Sequence, residues 1–108
     1  MSRDYVIVFC TCPDFANAKR LAEYLVENRL AACVNILPGL TSVYHWEGRI
    51  CSDSEHLLLI KSKTDRYGLL EAALQREHPY ELPEIVSVSL ENGSQDYLKW
   101  IDSCLTSD

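Results

Sequence analysis

The spacing of apolar positions along this chain switches between the period of a strand and that of a helix, and each switch marks an element. Tyr5-Val6-Ile7-Val8-Phe9-Cys10-Thr11 is a continuous apolar run of strong β-propensity, which predicts a central strand buried on both faces. Phe15, Ala18, Leu21, Ala22, Leu25 and Val26 then recur at three- and four-residue spacing, the single apolar face of a helix. Lys19, Arg20, Glu23 and Glu27 fall on its other side. Pro13 and Asp14 suit the first turn, one by its fixed φ and the other by its charge near the helix dipole. Asn28 suits a left-handed terminator.

Ala32 to Trp46 and Arg49 to Lys63 read as two long strands joined by Glu47-Gly48, whose glycine supplies the positive φ of a two-residue turn. Each arm has about 15 residues and, at roughly 3.3 Å per residue, would span about 50 Å unbroken. A compact domain of this length has a radius of gyration near ~13 Å, hence a width of about 35 Å. The arm outruns its body. Two consequences are expected: a bend at Pro38-Gly39, and a tip carrying Val43, Tyr44, Trp46 and Ile50 that buries itself on another chain.

A second helix is expected from Thr64 or Asp65, either of which can cap it, with Tyr67, Leu70, Ala73 and Leu74 on one side. It must stop before Pro79. Pro83 to Leu90 alternates as a further strand, Pro83 marking an edge position or a strand start. Asn92-Gly93 turns the chain, and Ser94 caps a third helix from Gln95 to about Leu105, with Tyr97, Leu98, Ile101, Cys104 and Leu105 on its apolar side. The order β-α-β-β-α-β with an appended helix is that of an α+β, ferredoxin-like sandwich. Right-handed crossovers place the first and third strands in the middle and both crossover helices on one face. The other face stays bare although the first strand and Leu57 to Ile60 are apolar on both sides. Self-association with cyclic closure is the expected cover.

At 108 residues there is room for one domain, spanning 1–108. A net charge of −6 argues against nucleic acid and anionic membranes as partners, since both need clustered Lys and Arg. No apolar run approaches the ~20 residues of a membrane span, and Met1-Ser2-Arg3-Asp4 is too polar and short to open a signal peptide. Five scattered cysteines, an odd number, fit reduced thiols in a cytoplasmic protein better than a disulfide scaffold.

Cys10-Thr11-Cys12 puts two sulfurs on one face of a strand end, and a thiolate with an imidazole is a soft donor set suited to copper or zinc. Imidazoles come only from His45, His56 and His78. In the hairpin register His45 lies opposite Ile50 and His56 opposite Gly39, so the arms form no histidine pair. The stretch Glu77-His78-Pro79-Tyr80-Glu81-Leu82-Pro83-Glu84-Ile85 is stiffened by two prolines, which suits either the presentation of a ligand site or a plain rigid connector. Cys33 and Cys104 read as structural, Lys61 as a snorkelling side chain, and Trp46 as an interface anchor. No nucleophile elbow, phosphate-binding loop, dinucleotide-binding glycine pattern or zinc-protease motif appears, so the chain is expected not to be an enzyme.

Ala31-Ala32-Cys33-Val34-Asn35-Ile36, Thr41-Ser42-x-Tyr44-x-Trp46-x-Gly48-x-Ile50, Lys61, His78-Pro79-Tyr80-Glu81-x-Pro83-Glu84 and Tyr97-Leu98-x-Trp100 together resemble the CutA family of divalent-cation tolerance proteins. The likeness runs from about Val6 to Ile101. It implies a ferredoxin-like subunit in a PII-like homotrimer held by the long hairpins, usually cytosolic. It also implies copper or another divalent cation as a bound ion. The family's proposed ligands correspond by position to Cys10 and His78, and Glu77 stands where some members carry a second histidine. Tyr44, Trp46, Lys61, Tyr80, Glu81 and Glu84 match shared positions and are expected to line a cleft between subunits. The function implied first is metal binding and metal tolerance. The alternative is a signalling or scaffold trimer that binds a small anionic metabolite and acts through a protein partner.

Overall fold

The computed structural model describes residues 4–106. In chain order its elements are β1 (Tyr5–Cys12), α1 (Phe15–Glu27), β2 (Cys33–Trp46), β3 (Arg49–Lys63), α2 (Thr64–Glu77), β4 (Val86–Ser89) and α3 (Gln95–Leu105). Met1, Ser2 and Arg3, part of the polar start weighed against a signal peptide, lie outside the described residues. The strands form one antiparallel sheet in the order β2-β3-β1-β4, with β1 and β3 in the middle as the crossover rule requires. Val8, Cys10, Leu58 and Ile60 point to one face and meet Leu21 and Leu25 of α1 and Leu70 and Leu74 of α2. This is the ferredoxin-like sandwich. On α3, Ile101 and Leu105 close a smaller cluster with Tyr5 and Ala32. Asp102 pins the same helix to the sheet, accepting from the Tyr5 hydroxyl at 2.9 Å and pairing with Lys63 at 2.8 Å.

Several element ends differ from the sequence expectation. Asp14 is the N-cap of α1, outside its first turn: its carboxylate accepts the Asn17 amide at 2.8 Å, which satisfies a donor that the helix leaves unpaired. The left-handed residue after α1 is Arg29, φ 56°, and not Asn28. The Leu30 amide donates to the Leu25 carbonyl and the Arg29 amide to that of Val26, the paired bonds of a Schellman closure. Neither Thr64 nor Asp65 caps α2. The cap position is Lys63, the last residue of β3, so the strand runs straight into the helix without a side-chain cap. The strand expected from Pro83 to Leu90 is reduced to Val86–Ser89, an edge strand that pairs with β1 only from Val6 to Phe9. The segment before it leaves the ladder and forms a wall on the bare face.

The hairpin bends where proline and glycine interrupt it: the β2–β3 register slips between Leu37 and Leu40, with Gly39 at φ 79°. Its length still sets the shape of the chain, 45 × 26 × 23 Å. At the tip Val43 and Ile50 are 68% and 74% exposed in the single chain. Glu47 and Gly48 both have positive φ, 51° and 76°, as the turn that matches strand twist demands. A methyl group at Gly48 meets nothing within 4 Å, so a substitution there tests backbone strain alone. Gly48→Ala is expected to cost about 1–2 kcal/mol in urea unfolding at fixed protein concentration; an unchanged midpoint would show that the turn is not held in this conformation.

Candidate metal centre and acidic cleft

Side chains alternate along β1, so Cys10 and Cys12 enter the helix-covered face while Thr11 enters the bare one. α2 ends at Glu77 because Pro79 follows, and the extended backbone of His78 turns its ring back over the end of β1. The ligand atoms of Cys10, Cys12 and His78 all lie within 4.8 Å of one another, and all three residues are buried. Of the two thiols it is Cys12 that sits beside the imidazole, Sγ to Nε2 3.9 Å. Cys10 and His78, the pair implied by the family resemblance, are thus brought together, and Cys12 joins them. The strand alternation that places both sulfurs on one face was the readable signal for it.

Both nitrogens of His78 already have backbone partners. Nε2 lies 2.8 Å from the Thr11 carbonyl, to which it can only donate, and Nδ1 accepts the Tyr80 amide at 3.0 Å. Burial lowers the imidazole's pKa, while Cys12 and the Thr11 carbonyl raise it, with a net upward direction. The two backbone bonds fix the ring's orientation, with Nε2 as the donor and Nδ1 as the acceptor. The Cys12 thiol is lowered to about 6, first by the hydrogen bond from Cys10, against the penalty of burial, and further by His78. Cys10 is pushed up by the same pair and by burial. Glu77, where some family members carry histidine, instead meets Arg20 and Arg76, each at 3.5 Å.

The bare face carries a cavity of about 840 Å³, walled by the hairpin tip and the Pro79–Glu84 segment. Tyr44, Trp46, Tyr80, Glu81 and Glu84 line it within the single chain. Lys61 does not: it lies opposite Ile7 and Cys33, and its amine donates to the Asn35 side chain. Sequence reasoning missed Asp53 and Glu55, which β3 directs into the cavity by alternation. Glu55 is 7% exposed and accepts the Tyr80 hydroxyl at 2.8 Å; Asp53 accepts that of Tyr44. The phenol of Tyr80 is raised by burial and then by Glu55, and that of Tyr44 is pushed up to about 12, chiefly by the bond to Asp53.

The fold is that of a ferredoxin-like α+β protein with a long hairpin and a cysteine–histidine cluster at the end of its first strand. The sequence model of the CutA1 divalent ion tolerance protein family matches residues 6–104. A divalent-cation tolerance protein CutA of Pectobacterium atrosepticum is 46% identical over 102 residues, 94% of this chain and 93% of the relative. The crystal structure of CutA from Xylella fastidiosa superposes with a TM-score of 0.93 at 40% identity, covering 95% of this chain and 99% of that one. A CutA of Archaeoglobus fulgidus, described as periplasmic, gives a TM-score of 0.92 at 31% identity over 94% of this chain and 99% of that one. The chain belongs to the CutA1 divalent-cation tolerance family.

The lowered Cys12 pKa has a definite sign. It favours the native state above the ordinary thiol pKa, and that contribution is lost as pH falls through about 6. In metal-free protein the thiolate ultraviolet absorbance of one cysteine is expected to titrate near pH 6 and to vanish in Cys12→Ser. A first midpoint at the ordinary thiol value of about 8.5 would contradict the pairing.

Proposed function

We propose that the chain is a non-enzymatic homotrimer that binds copper or another thiophilic cation on Cys10, Cys12 and His78 and thereby contributes to metal tolerance. The convergence of those three donors within 4.8 Å carries the reading. Two sulfurs and an imidazole select soft and borderline ions over magnesium or calcium. Metal–sulfur and metal–nitrogen bonds of about 2.3 and 2.0 Å need the cluster to contract slightly. His78 must also release one backbone partner, a cost of about 1 kcal/mol. Binding to a structural thiolate–imidazole set is worth roughly 10 kcal/mol or more, so the ion wins that competition. Five free cysteines support a cytoplasmic setting.

Competition titration against a chromophoric chelator tests the reading. Cys10→Ser and His78→Ala are each expected to weaken Cu(I) or Zn(II) binding by more than about tenfold, the lower bound for disturbing even an outer partner of a metal site. Unchanged affinity in both variants would remove the assignment.

The trimer is supported by the apolar groups that the single chain leaves in water, Val43, Trp46 and Ile50 on the tip and Val86 and Val88 on β4. Sedimentation equilibrium is expected to give three times the 12.3 kDa chain mass; a well-folded species at the single-chain mass would exclude it.

A second reading, a PII-like sensor that binds a small molecule and acts through a protein partner, is favoured by the cavity, whose volume suits such a ligand. Asp53, Glu55, Glu81 and Glu84 line it, with no Lys or Arg among its described lining residues. That wall opposes the anionic metabolite expected from the sequence and suits a neutral or cationic one. In a thermal-shift screen amines are expected to raise the melting temperature where carboxylic acids of similar size do not. Stabilisation by the acids alone would reverse this assignment.

A further inference from the structure

The β1–β3 register places His56 directly opposite Cys12. Val8 with Ile60 and Cys10 with Leu58 are the preceding pairs on the same face, so the His56 side chain projects toward the side that holds the sulfur cluster. Directly opposed residues have their β-carbons about 5 Å apart. The His56 ring lies outside the group of three convergent donors in the structure, so joining them requires a change of its side-chain rotamer.

His56 also carries an anomaly. Its Nδ1 is buried and has no hydrogen-bond partner among the described residues. A buried polar atom left unpaired costs roughly 1–3 kcal/mol, and native structures retain few of them. The ring lies beside Phe15, 6.1 Å between centroids, whose side chain has no hydrogen-bonding atom. Three donors hold an ion less well than the four that a closed tetrahedral site supplies.

We infer that His56 is the fourth ligand of the cluster, so that Cys10, Cys12, His56 and His78 close around one tetrahedral ion as an S2N2 set. The inference rests on the metal-binding reading above. The chemical class of ion is a thiophilic d10 cation, Zn(II) or Cu(I), both of which accept this geometry without preference from d-electrons. The fourth donor would come from the middle of the long hairpin, so one ion ties β3 to β1 and to the segment after α2. Glu77 meets Arg20 and Arg76 at 3.5 Å and is not among the residues whose ligand atoms converge.

Cobalt(II) substitution of the full chain reads both levels separately. Thiolate-to-cobalt charge-transfer absorbance reports Cys10 and Cys12, and the intensity and position of the d–d bands report tetrahedral closure and the fourth ligand. Wild type is expected to show both, with one ion per chain. His56→Val is expected to keep the charge-transfer bands, change the d–d envelope and lose more than about tenfold in Co(II) and Zn(II) affinity. His56→Cys, which restores a donor at the same place, is expected to recover tetrahedral bands and affinity. Parallel titrations with Zn(II) and Cu(I) decide which ion needs the fourth donor more. If wild type shows no charge-transfer bands, the metal reading fails and takes the inference with it. If the bands are present and His56→Val leaves spectrum and affinity unchanged, the three-donor site stands and His56 is only a packing partner of Phe15. His56→Val favours a strand, and circular dichroism of the metal-free variant confirms that a loss of binding is not a loss of fold.

Discussion

The antiparallel pairing of β1 with β3 in a single register is the constraint on which the rest of the molecule depends. It sends Val6, Val8, Cys10 and Cys12, with Ser62, Ile60, Leu58 and His56 opposite them, to the helix-covered face. Ile7, Phe9 and Thr11, with Lys61, Leu59 and Leu57, go to the other. A slip of one residue would exchange the two sets, placing both sulfurs on the bare face and Thr11 under the helices. Fourteen buried residues of the main core resist that slip together, so the chemistry at the strand end is fixed by packing far from it.

The same pairing sets two sites back to back across one sheet. Cys12 and His78 lie on the covered side, Glu55 and Thr11 on the cavity side. The Pro79–Glu84 segment joins them: the Tyr80 amide donates to His78 Nδ1, while its hydroxyl donates to Glu55. The two rings sit 4.9 Å apart. The backbone bonds of His78, from Nε2 to the Thr11 carbonyl and from the Tyr80 amide to Nδ1, fix the ring over the end of β1.

Much of the fold was legible because it is written locally. The Glu47-Gly48 turn, the Pro38-Gly39 bend and the Ser94 cap, which accepts the Tyr97 amide at 3.1 Å, each follow from a few neighbouring residues. What was not legible depends on pairings distant in sequence. Pro83 to Leu90 alternates like a long strand, yet β1 offers it partners only from Val6 to Phe9. Lys61 shares the cavity's face by alternation but lies farther along β3, beside Asn35, a separation that only the register shows. The candidate site divides in the same way. That Cys10 and Cys12 share a face could be read from period two. That Cys12 and not Cys10 sits beside His78, and that His56 lies across from it, required the register itself.

The central claim is that the buried Cys10–Cys12–His78 cluster, and not the carboxylates of the cleft, holds the ion. X-ray absorption at the metal edge of protein loaded with one equivalent of Zn(II) or Cu(I) tests this most directly. The account predicts a first shell dominated by two sulfur scatterers at about 2.3 Å with imidazole nitrogen beside them. A first shell of oxygen and nitrogen alone would place the ion among Asp53, Glu55, Glu81 and Glu84 and contradict it.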